Sequence, residues 1–164
     1  MLDGLQEFVN GQKQDILIVL HQMGSHGPAY SKRYPSAFEK FTPACQTSEL
    51  SMCSDEEIIN AYDNTILYTD YFLAKVIGFL KRNTPRYETA MIYVSDHGES
   101  LGENKVYLHG LPYMFAPKAQ THVPIIVWAG ASSDIDIEKT RELKDLPNSH
   151  DALAQAILLS MEVD

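Results

Sequence analysis

The residues of this chain that could do chemistry are concentrated in one short segment, Ser95–Glu99, which reads Ser-Asp-His-Gly-Glu. An apolar run, Met91–Val94, comes directly before it. In α/β folds, ligands bind beyond the carboxyl ends of parallel strands. A strand over the apolar run would therefore place Asp96 and His97 where sites usually form. Because carboxylate oxygen and imidazole nitrogen suit Zn²⁺ or a similar divalent cation, the segment indicates a metal site.

Two further histidines stand in glycine-containing turns, and glycine lets a backbone approach a ligand closely. His26 lies within Gly24–Pro28, shortly after the apolar run Ile16–Leu20, and His109 directly precedes a glycine. Together with the Asp-His pair, these histidines point to a metal-dependent site for an anionic substrate. Taken singly, each histidine is better explained as a turn histidine that binds nothing, and Asp96 as a cap of the next turn.

The other ionisable side chains near these motifs are interpreted as structural. Glu99 and Glu103 could accept hydrogen bonds from the ring N–H groups of metal-binding histidines, but solvated loop charges are the favoured interpretation. The histidines outside a glycine turn are also interpreted as structural: His21, His122 and His150. The sequence has no nucleophile elbow, P-loop, H-E-x-x-H or C-x-x-C motif, and no evidently activated Ser, Thr or Cys stands beside the candidates.

The elements that must position these residues are apolar strands alternating with helices. We predict strands over Asp15–Leu20, Thr89–Ser95 and Ile125–Trp128. This alternation favours an α/β fold with a mostly parallel sheet and helices on both faces. Because 164 residues are about one domain's worth, we predict a single domain over residues 1–164.

Three helices complete the predicted order. A short helix over Leu2–Asn10 opens the chain, and a last helix runs through Ala152–Met161. The longest helix begins after Ser54, because Glu57 three residues later completes a capping box. The apolar stripe that follows is interpreted as core packing, and the helix ends near Asn83, just before a Thr-Pro pair.

Composition excludes some classes of partner. The formal net charge is −9, which argues against nucleic acid, because phosphate backbones bind basic faces. The same charge does not exclude a single phosphate held by a metal, since a bound cation dominates its local field. No apolar run approaches the ~18 residues of a membrane span and no signal peptide is visible, so the chain is expected to be soluble.

The two cysteines, Cys45 and Cys53, are eight positions apart with a polar segment between them. The intervening chain is long enough for a local disulfide, which would indicate an oxidising compartment. Two free thiols in a loop are the alternative, and spacing alone leaves both open.

Several blocks together resemble a known family. Ser95–Asn104 and Tyr107–Tyr113 are similar to the C-terminal signature of lipid A phosphoethanolamine transferases. That family includes the colistin (polymyxin) resistance enzymes and belongs to the alkaline phosphatase/sulfatase superfamily. Three more blocks match in the family's order: Gly24–Pro35, Phe41–Cys53 and Tyr62–Tyr71. The resemblance extends from about residue 5 to residue 161.

The resemblance implies a role for each candidate residue. Asp96 and His97 match the aspartate and histidine that ligate the catalytic zinc. His26 and His109 match histidines that contact the phosphoethanolamine phosphate or a second zinc. The cysteines match a short-range disulfide of the family, and the fold implied is part of an alkaline phosphatase/sulfatase-like domain.

The reaction implied is a two-step transfer through a zinc-activated threonine, from phosphatidylethanolamine to lipid A or a related glycan. In the family, that threonine and a glutamate ligand precede every block matched here, and no threonine of this chain matches. No catalytic nucleophile is therefore expected within the chain, which is expected to be inactive alone. The resemblance places the intact enzyme at the periplasmic face of the inner membrane, tethered by an N-terminal region not seen in this sequence.

Two other functions stay open. The chain could belong to a sulfatase, phosphatase or phosphodiesterase of the same superfamily, which the nucleophile would decide. It could also be a non-catalytic remnant or an interaction module. A partial domain exposes sheet edges or core, so self-association of the chain is expected.

Overall fold

The computed structural model describes residues 1–162, so residues 163 and 164 of the predicted domain lie outside the described residues. The chain forms two compact units. The first comprises Met1–Gln22, Phe79–Met91 and the chain from Trp128 onward, and the second comprises Met23–Gly78 and Ile92–Val127. All the candidate site residues fall in the second unit. The single domain over residues 1–164 stays a prediction.

Helices and short strands make up the regular structure. The helices are α1 Leu5–Gly11, α2 Asp55–Asn83, α3 Lys118–Thr121, α4 Ile137–Glu142 and α5 Asp151–Ser160. The strands are β1 Ala90–Val94, β2 Ser100–Leu101, β3 Tyr107–Leu108 and β4 Ile125–Ala129. Single 3₁₀ turns lie at Tyr30–Lys32, Ser36–Phe38, Leu50–Met52 and Glu103–Lys105. Within residues 1–162, no helix is long and apolar enough to cross a membrane.

The strands form two separate two-stranded sheets. One pairs β1 with β4. The other pairs β2 with β3 in antiparallel register, with Ser100 opposite Leu108 and Leu101 opposite Tyr107. This second pair cannot be predicted from the sequence, because two-residue strands are too short to show alternation.

Helix α2 begins with the predicted capping box. The Ser54 N–H donates to Oε2 of Glu57 at 2.7 Å, and the Glu57 N–H donates back to the Ser54 hydroxyl at 3.3 Å. These bonds satisfy donors that a helix start leaves free. The Ser54 N–H and the Ser54 hydroxyl, which also donates to Oε2 at 3.0 Å, together lower the pKa of Glu57. The helix ends at Asn83, so the predicted start and end are both confirmed.

The core of the second unit lies between α2 and the segment that carries the cysteines. Tyr30, Cys45, Ile58 and Ala61 are buried together. Cys45 is disulfide-bonded to Cys53, and its N–H donates to the carbonyl of a residue in the first turn of α2 at 2.9 Å. Because Tyr30 belongs to this core, the turn that carries His26 is anchored four residues away.

The first unit holds α1 by polar contacts. Gln6 Nε2 donates to Oδ1 of Asn83 at 2.9 Å. The Tyr87 hydroxyl donates to the carbonyls of Val9 and Gln12 at 3.4 and 3.3 Å. The end of α2 and the chain after it therefore position α1.

The prediction of a strand over Asp15–Leu20 is wrong, because the structure assigns this segment no strand. Its side chains do alternate, with Leu17 and Val19 exposed and their neighbours half-buried. A strand is defined by a hydrogen-bonded neighbour, and none of the strands within residues 1–162 pairs with this segment. Alternation in the sequence can show that a segment has one apolar face but not that a partner strand lies beside it.

Candidate metal centre

The Asp-His turn follows β1 as predicted, and packing on α3 shapes it. The Gly98 N–H donates to the carbonyl of Gln120 at 2.9 Å. A Cβ atom on Gly98 would overlap the carbonyl oxygen of Ala119. Only glycine therefore lets the chain run this close to α3, and this contact fixes the backbone immediately after His97.

The turn that carries His26 is equally crowded. The His26 N–H donates to the carbonyl of Met23 at 3.1 Å, which closes the turn. A Cβ atom on Gly27 would lie 2.5 Å from a methyl carbon of Leu108 and 2.7 Å from the hydroxyl of Tyr30. Gly27 therefore does allow the close backbone approach that the sequence predicts. The groups that the backbone approaches are Leu108 of β3 and Tyr30 of the core.

The β2–β3 pair positions His109. β3 ends at Leu108, whose φ of 64° is the left-handed conformation that ends a strand abruptly. Ser100 on β2 is fully buried, and its hydroxyl accepts a hydrogen bond from Nε2 of Gln120 at 3.0 Å. His109 therefore follows a hairpin that α3 supports, although nothing in the sequence pattern indicated Gln120.

The three histidines predicted for the site lie close together. The ring centroids of His26 and His109 are 4.8 Å apart, those of His26 and His97 are 5.7 Å apart, and His97 stacks on His109 at 3.8 Å. One nitrogen from each ring lies within 4.8 Å of the other two. In a tetrahedral zinc site the ligand nitrogens lie closer together than 4.8 Å. Small rotations of the three rings would bring their nitrogens to that spacing.

The partner of each ring fixes its tautomer. Nδ1 of His26 lies 2.7 Å from the carbonyl of Gly27, and Nδ1 of His97 lies 2.9 Å from the carbonyl of Gly98. A carbonyl only accepts, so Nδ1 must carry the proton in each neutral ring. Nδ1 of His109 faces a carboxylate oxygen of Glu99 at 3.1 Å. All three rings are thus left with Nε2 as the nitrogen that can bind a metal or a phosphate group.

Asp96 stands outside the three-histidine group. Its side chain is 80% exposed, and Oδ2 lies 3.8 Å from Nε2 of His97. Oδ1 accepts a hydrogen bond from the His97 N–H at 3.1 Å. Asp96 and His97, the two predicted metal ligands, therefore lie next to each other. The ring of His97, however, also lies close to His26 and His109, which are predicted to contact the substrate phosphate or a second zinc.

The interpretation of Glu99 as a solvated loop charge is wrong, because this residue is only 6% exposed. Oε1 accepts a hydrogen bond from the Gly27 N–H at 3.1 Å and also faces His109. One carboxylate oxygen thus joins the turn of His26 to the ring of His109. The backbone turn after His97 aims this side chain inward, and residue type alone does not reveal that direction.

Two phenols, the buried Tyr30 and the half-buried Tyr62, border Glu99. Burial and then the Glu99 carboxylate raise the pKa of Tyr30 far above its usual range. The same two causes, in the same order, raise the pKa of Tyr62. Neither phenol therefore adds negative charge to the site near neutral pH.

The donors fit a divalent cation such as zinc. Three imidazole nitrogens face one another, and carboxylates of Asp96 and Glu99 lie beside them. Oε2 of Glu99 is buried and has no hydrogen-bond partner among the described residues. The neighbouring Tyr30 hydroxyl is likewise buried without a partner within residues 1–162 and is a donor suited to this oxygen, so the fit to a cation rests on the three imidazole nitrogens.

Fold and site together define a member of the sulfatase family, to which the chain belongs: a family model described as "Sulfatase" matches residues 1–162. The chain is 50% identical over 164 residues to the phosphatidylethanolamine transferase Mcr-2 of Escherichia coli, covering 99% of this chain and 30% of that protein. The chain therefore spans less than a third of the length of that relative.

Two solved structures share the fold. The C-terminal periplasmic domain of phosphoethanolamine transferase EptC from Campylobacter jejuni superposes with a TM-score of 0.90 at 49% identity, covering 99% of this chain and 52% of that one. The integral membrane protein lipooligosaccharide phosphoethanolamine transferase A from Neisseria meningitidis superposes with a TM-score of 0.92 at 42% identity, covering 98% and 31%. The predicted α/β fold and alkaline phosphatase/sulfatase-like domain are thereby confirmed.

Proposed function

We propose that the intact protein transfers phosphoethanolamine from phosphatidylethanolamine to lipid A or a related glycan, in a zinc-dependent reaction. The observation that carries this proposal is the convergence of His26, His97 and His109 beside the buried Glu99. Those residues come from three separate sequence blocks that all resemble the phosphoethanolamine transferases. The names of the Mcr-2 and Neisseria relatives support both the donor and a glycolipid acceptor.

Asp96 and His97 would hold the zinc ion from this part of the site. When bound, zinc supplies a Lewis acid that lowers the pKa of a hydroxyl nucleophile and neutralises charge on phosphoryl oxygens. The carbonyl of Gly98 orients His97 by accepting from its Nδ1, so that Nε2 is available as ligand. The exposed carboxylate of Asp96 is close enough to approach the same ion.

His26 and His109 would bind the phosphate of the donor or a second zinc ion. Each has Nε2 as its remaining nitrogen for a ligand, because a backbone carbonyl holds Nδ1 of His26 and Glu99 holds Nδ1 of His109. A protonated Nε2 donates to a phosphate oxygen, and a neutral one can take or return a proton at a leaving oxygen.

The nucleophile that the resemblance implies is a threonine that precedes every matched block. We propose that this threonine belongs to a part of the intact protein outside residues 1–164, which span 30% of the Mcr-2 relative. The chain alone would then hold substrate and metal groups without completing a transfer. Steady transfer of phosphoethanolamine by the purified chain would contradict this point.

We further propose that the intact enzyme acts at the periplasmic face of the inner membrane. The Cys45–Cys53 disulfide agrees with an oxidising compartment. The solved relatives are named as a periplasmic domain and as an integral membrane protein. A membrane tether would come from a region that precedes the matched blocks.

A chimaera tests the proposed reaction directly. The region of Mcr-2 that aligns with this chain is replaced by residues 1–164, and lipid A from cells expressing the chimaera is analysed by mass spectrometry. We expect lipid A carrying phosphoethanolamine, and its loss in the His109→Ala chimaera. The Met52→Ala chimaera, altered at an exposed methionine, is the matched control and should retain transfer.

The outcome that would contradict the proposal is a membrane-inserted, folded chimaera that leaves lipid A unmodified. Hydrolysis of an aryl sulfate ester by that chimaera would favour the sulfatase alternative. Hydrolysis of an aryl phosphate without transfer would favour a phosphatase.

A further inference from the structure

A run of large apolar side chains is exposed immediately after His109. Residues Leu111–Phe115, here named the apolar loop, follow it after Gly110. Tyr113 is 86% exposed, Met114 80% and Phe115 72%. Isolated apolar residues on a surface need no explanation, but a contiguous group marks an interaction site.

The exposure belongs to a hydrogen-bonded turn. The N–H groups of Phe115 and Ala116 both donate to the carbonyl of Pro112, at 2.8 and 3.0 Å. α3 begins two residues after this turn and is anchored by the buried Gln120. The apolar loop therefore holds its side chains outward between two elements that position the candidate site. These are the β2–β3 pair, which carries His109, and α3, which packs against the Asp-His turn.

The charge around the apolar loop differs from that of the chain as a whole. The chain has 22 acidic residues and a net charge of −9, yet no Asp or Glu occurs between Glu103 and Asp134. That stretch carries Lys105 and Lys118, both exposed. An anionic surface would attract these lysines and meet no acidic side chain from this stretch.

We propose that the apolar loop inserts into the surface of a phospholipid bilayer. Tyrosine suits the boundary between headgroups and acyl chains because its ring is apolar and its hydroxyl is polar. Phe115 and Met114 would enter the acyl region, while Lys118 would contact lipid phosphate. This inference rests on the proposed function, since it brings the histidines against the headgroup of a phospholipid donor that stays in its bilayer.

Vesicle binding by the purified chain tests the proposal. The probe is vesicles of phosphatidylethanolamine and phosphatidylglycerol, separated from free protein by flotation. Replacement of the three exposed side chains (Tyr113→Ser, Met114→Ser and Phe115→Ser) should lower the partition coefficient about tenfold or more, because their apolar area stays in water. The control, Met52→Ser with Leu159→Ser, removes exposed apolar side chains elsewhere and should bind like wild type.

A second variant keeps the proposal testable if the triple replacement does not fold, as judged by circular dichroism. Phe115→Trp preserves the apolar character and adds a fluorophore. Lipids brominated in the acyl chain should quench its fluorescence more strongly than that of Met52→Trp, with the native Trp128 present in both.

The proposal is overturned if wild type does not bind these vesicles, or if quenching is equal in the two tryptophan variants. The apolar loop would then be a contact surface for protein. Because vesicle binding needs no transfer chemistry, this outcome leaves the chimaera experiment unaffected. A chimaera that binds vesicles through the apolar loop but transfers no phosphoethanolamine would contradict the proposed function and leave the membrane-insertion proposal intact.

Discussion

At the scale of single residues, Glu99 organises the candidate site. Its Oε1 atom accepts from the Gly27 N–H, 72 residues earlier in the chain, and faces Nδ1 of His109, so one buried carboxylate links the turn of His26 to the ring of His109. Metal-binding histidines commonly depend on such a partner for ring orientation and basicity. The third ring, that of His97, uses a backbone carbonyl for the same purpose.

Replacing Glu99 by glutamine should weaken metal binding without emptying the space. The amide can still accept from Gly27, but it loses the charge that supports the His109 ring. We expect affinity for zinc to fall about 10- to 100-fold, measured by competition with a chromophoric chelator. Glu56→Gln, on the exposed first turn of α2, is the control, and an equal loss in both variants would contradict the role assigned to Glu99.

Gly98 should tolerate no side chain. In Gly98→Ala, the new methyl group would meet the carbonyl oxygen of Ala119, so the Asp-His turn must move away from α3. We expect the free energy of unfolding to fall by about 1–3 kcal/mol, typical of overpacking, as measured by urea denaturation. Gly11→Ala, where a Cβ meets nothing within 4 Å, should be neutral or slightly stabilising, and equal losses would refute the explanation.

The residue types predicted much of this site, and the backbone explains the rest. Apolar runs followed by polar residues and a glycine predict Asp96, His97 and His26. The glycine directly after His109 predicts that residue in the same way. The sequence does not predict the role of Glu99, because a glutamate in a polar loop is usually solvated. Its burial depends on the turn that Gly98 makes, which no periodic pattern encodes.

At the scale of elements, the capping box of α2 gives a prediction about pH. Bonds from Ser54 lower the pKa of Glu57 below its usual value of 4.5. The charged carboxylate thus stabilises the helix start fully above about pH 4.5, and this stabilisation is lost as pH falls through the lowered pKa. The difference in unfolding free energy between wild type and Glu57→Ala should therefore shrink on acidification, measured by denaturation at several pH values. A difference that stays constant with pH would contradict it.

The elements were predicted unevenly, for physical reasons. α2 has a cap, an apolar stripe and a stop within its own sequence, and its predicted start and end match the structure. Strand formation over Asp15–Leu20 depends on a partner that sequence cannot show. The pair of β2 and β3, which carries His109 at its end, is too short to leave a pattern.

At the scale of the whole molecule, apolar surface outside the apolar loop is also exposed. Val19 is 80% exposed and Leu17 lies on the same alternating segment. We propose that the chain self-associates through surfaces of this kind. Light scattering should show mass rising with concentration, and Leu17→Ser with Val19→Ser should reduce that rise. A constant monomer mass at high concentration would refute self-association.

The central claim is that Asp96 and His97 hold a zinc ion, with His26 and His109 placed beside it to bind phosphate or a second zinc ion. The most direct measurement is the zinc content of the purified chain after chelator treatment, reloading and desalting, beside single alanine variants of the three histidines and of Asp96. The account predicts stoichiometric zinc in the wild type and its loss in the His97→Ala variant above all. Wild-type zinc no higher than that of the His97→Ala variant would contradict it.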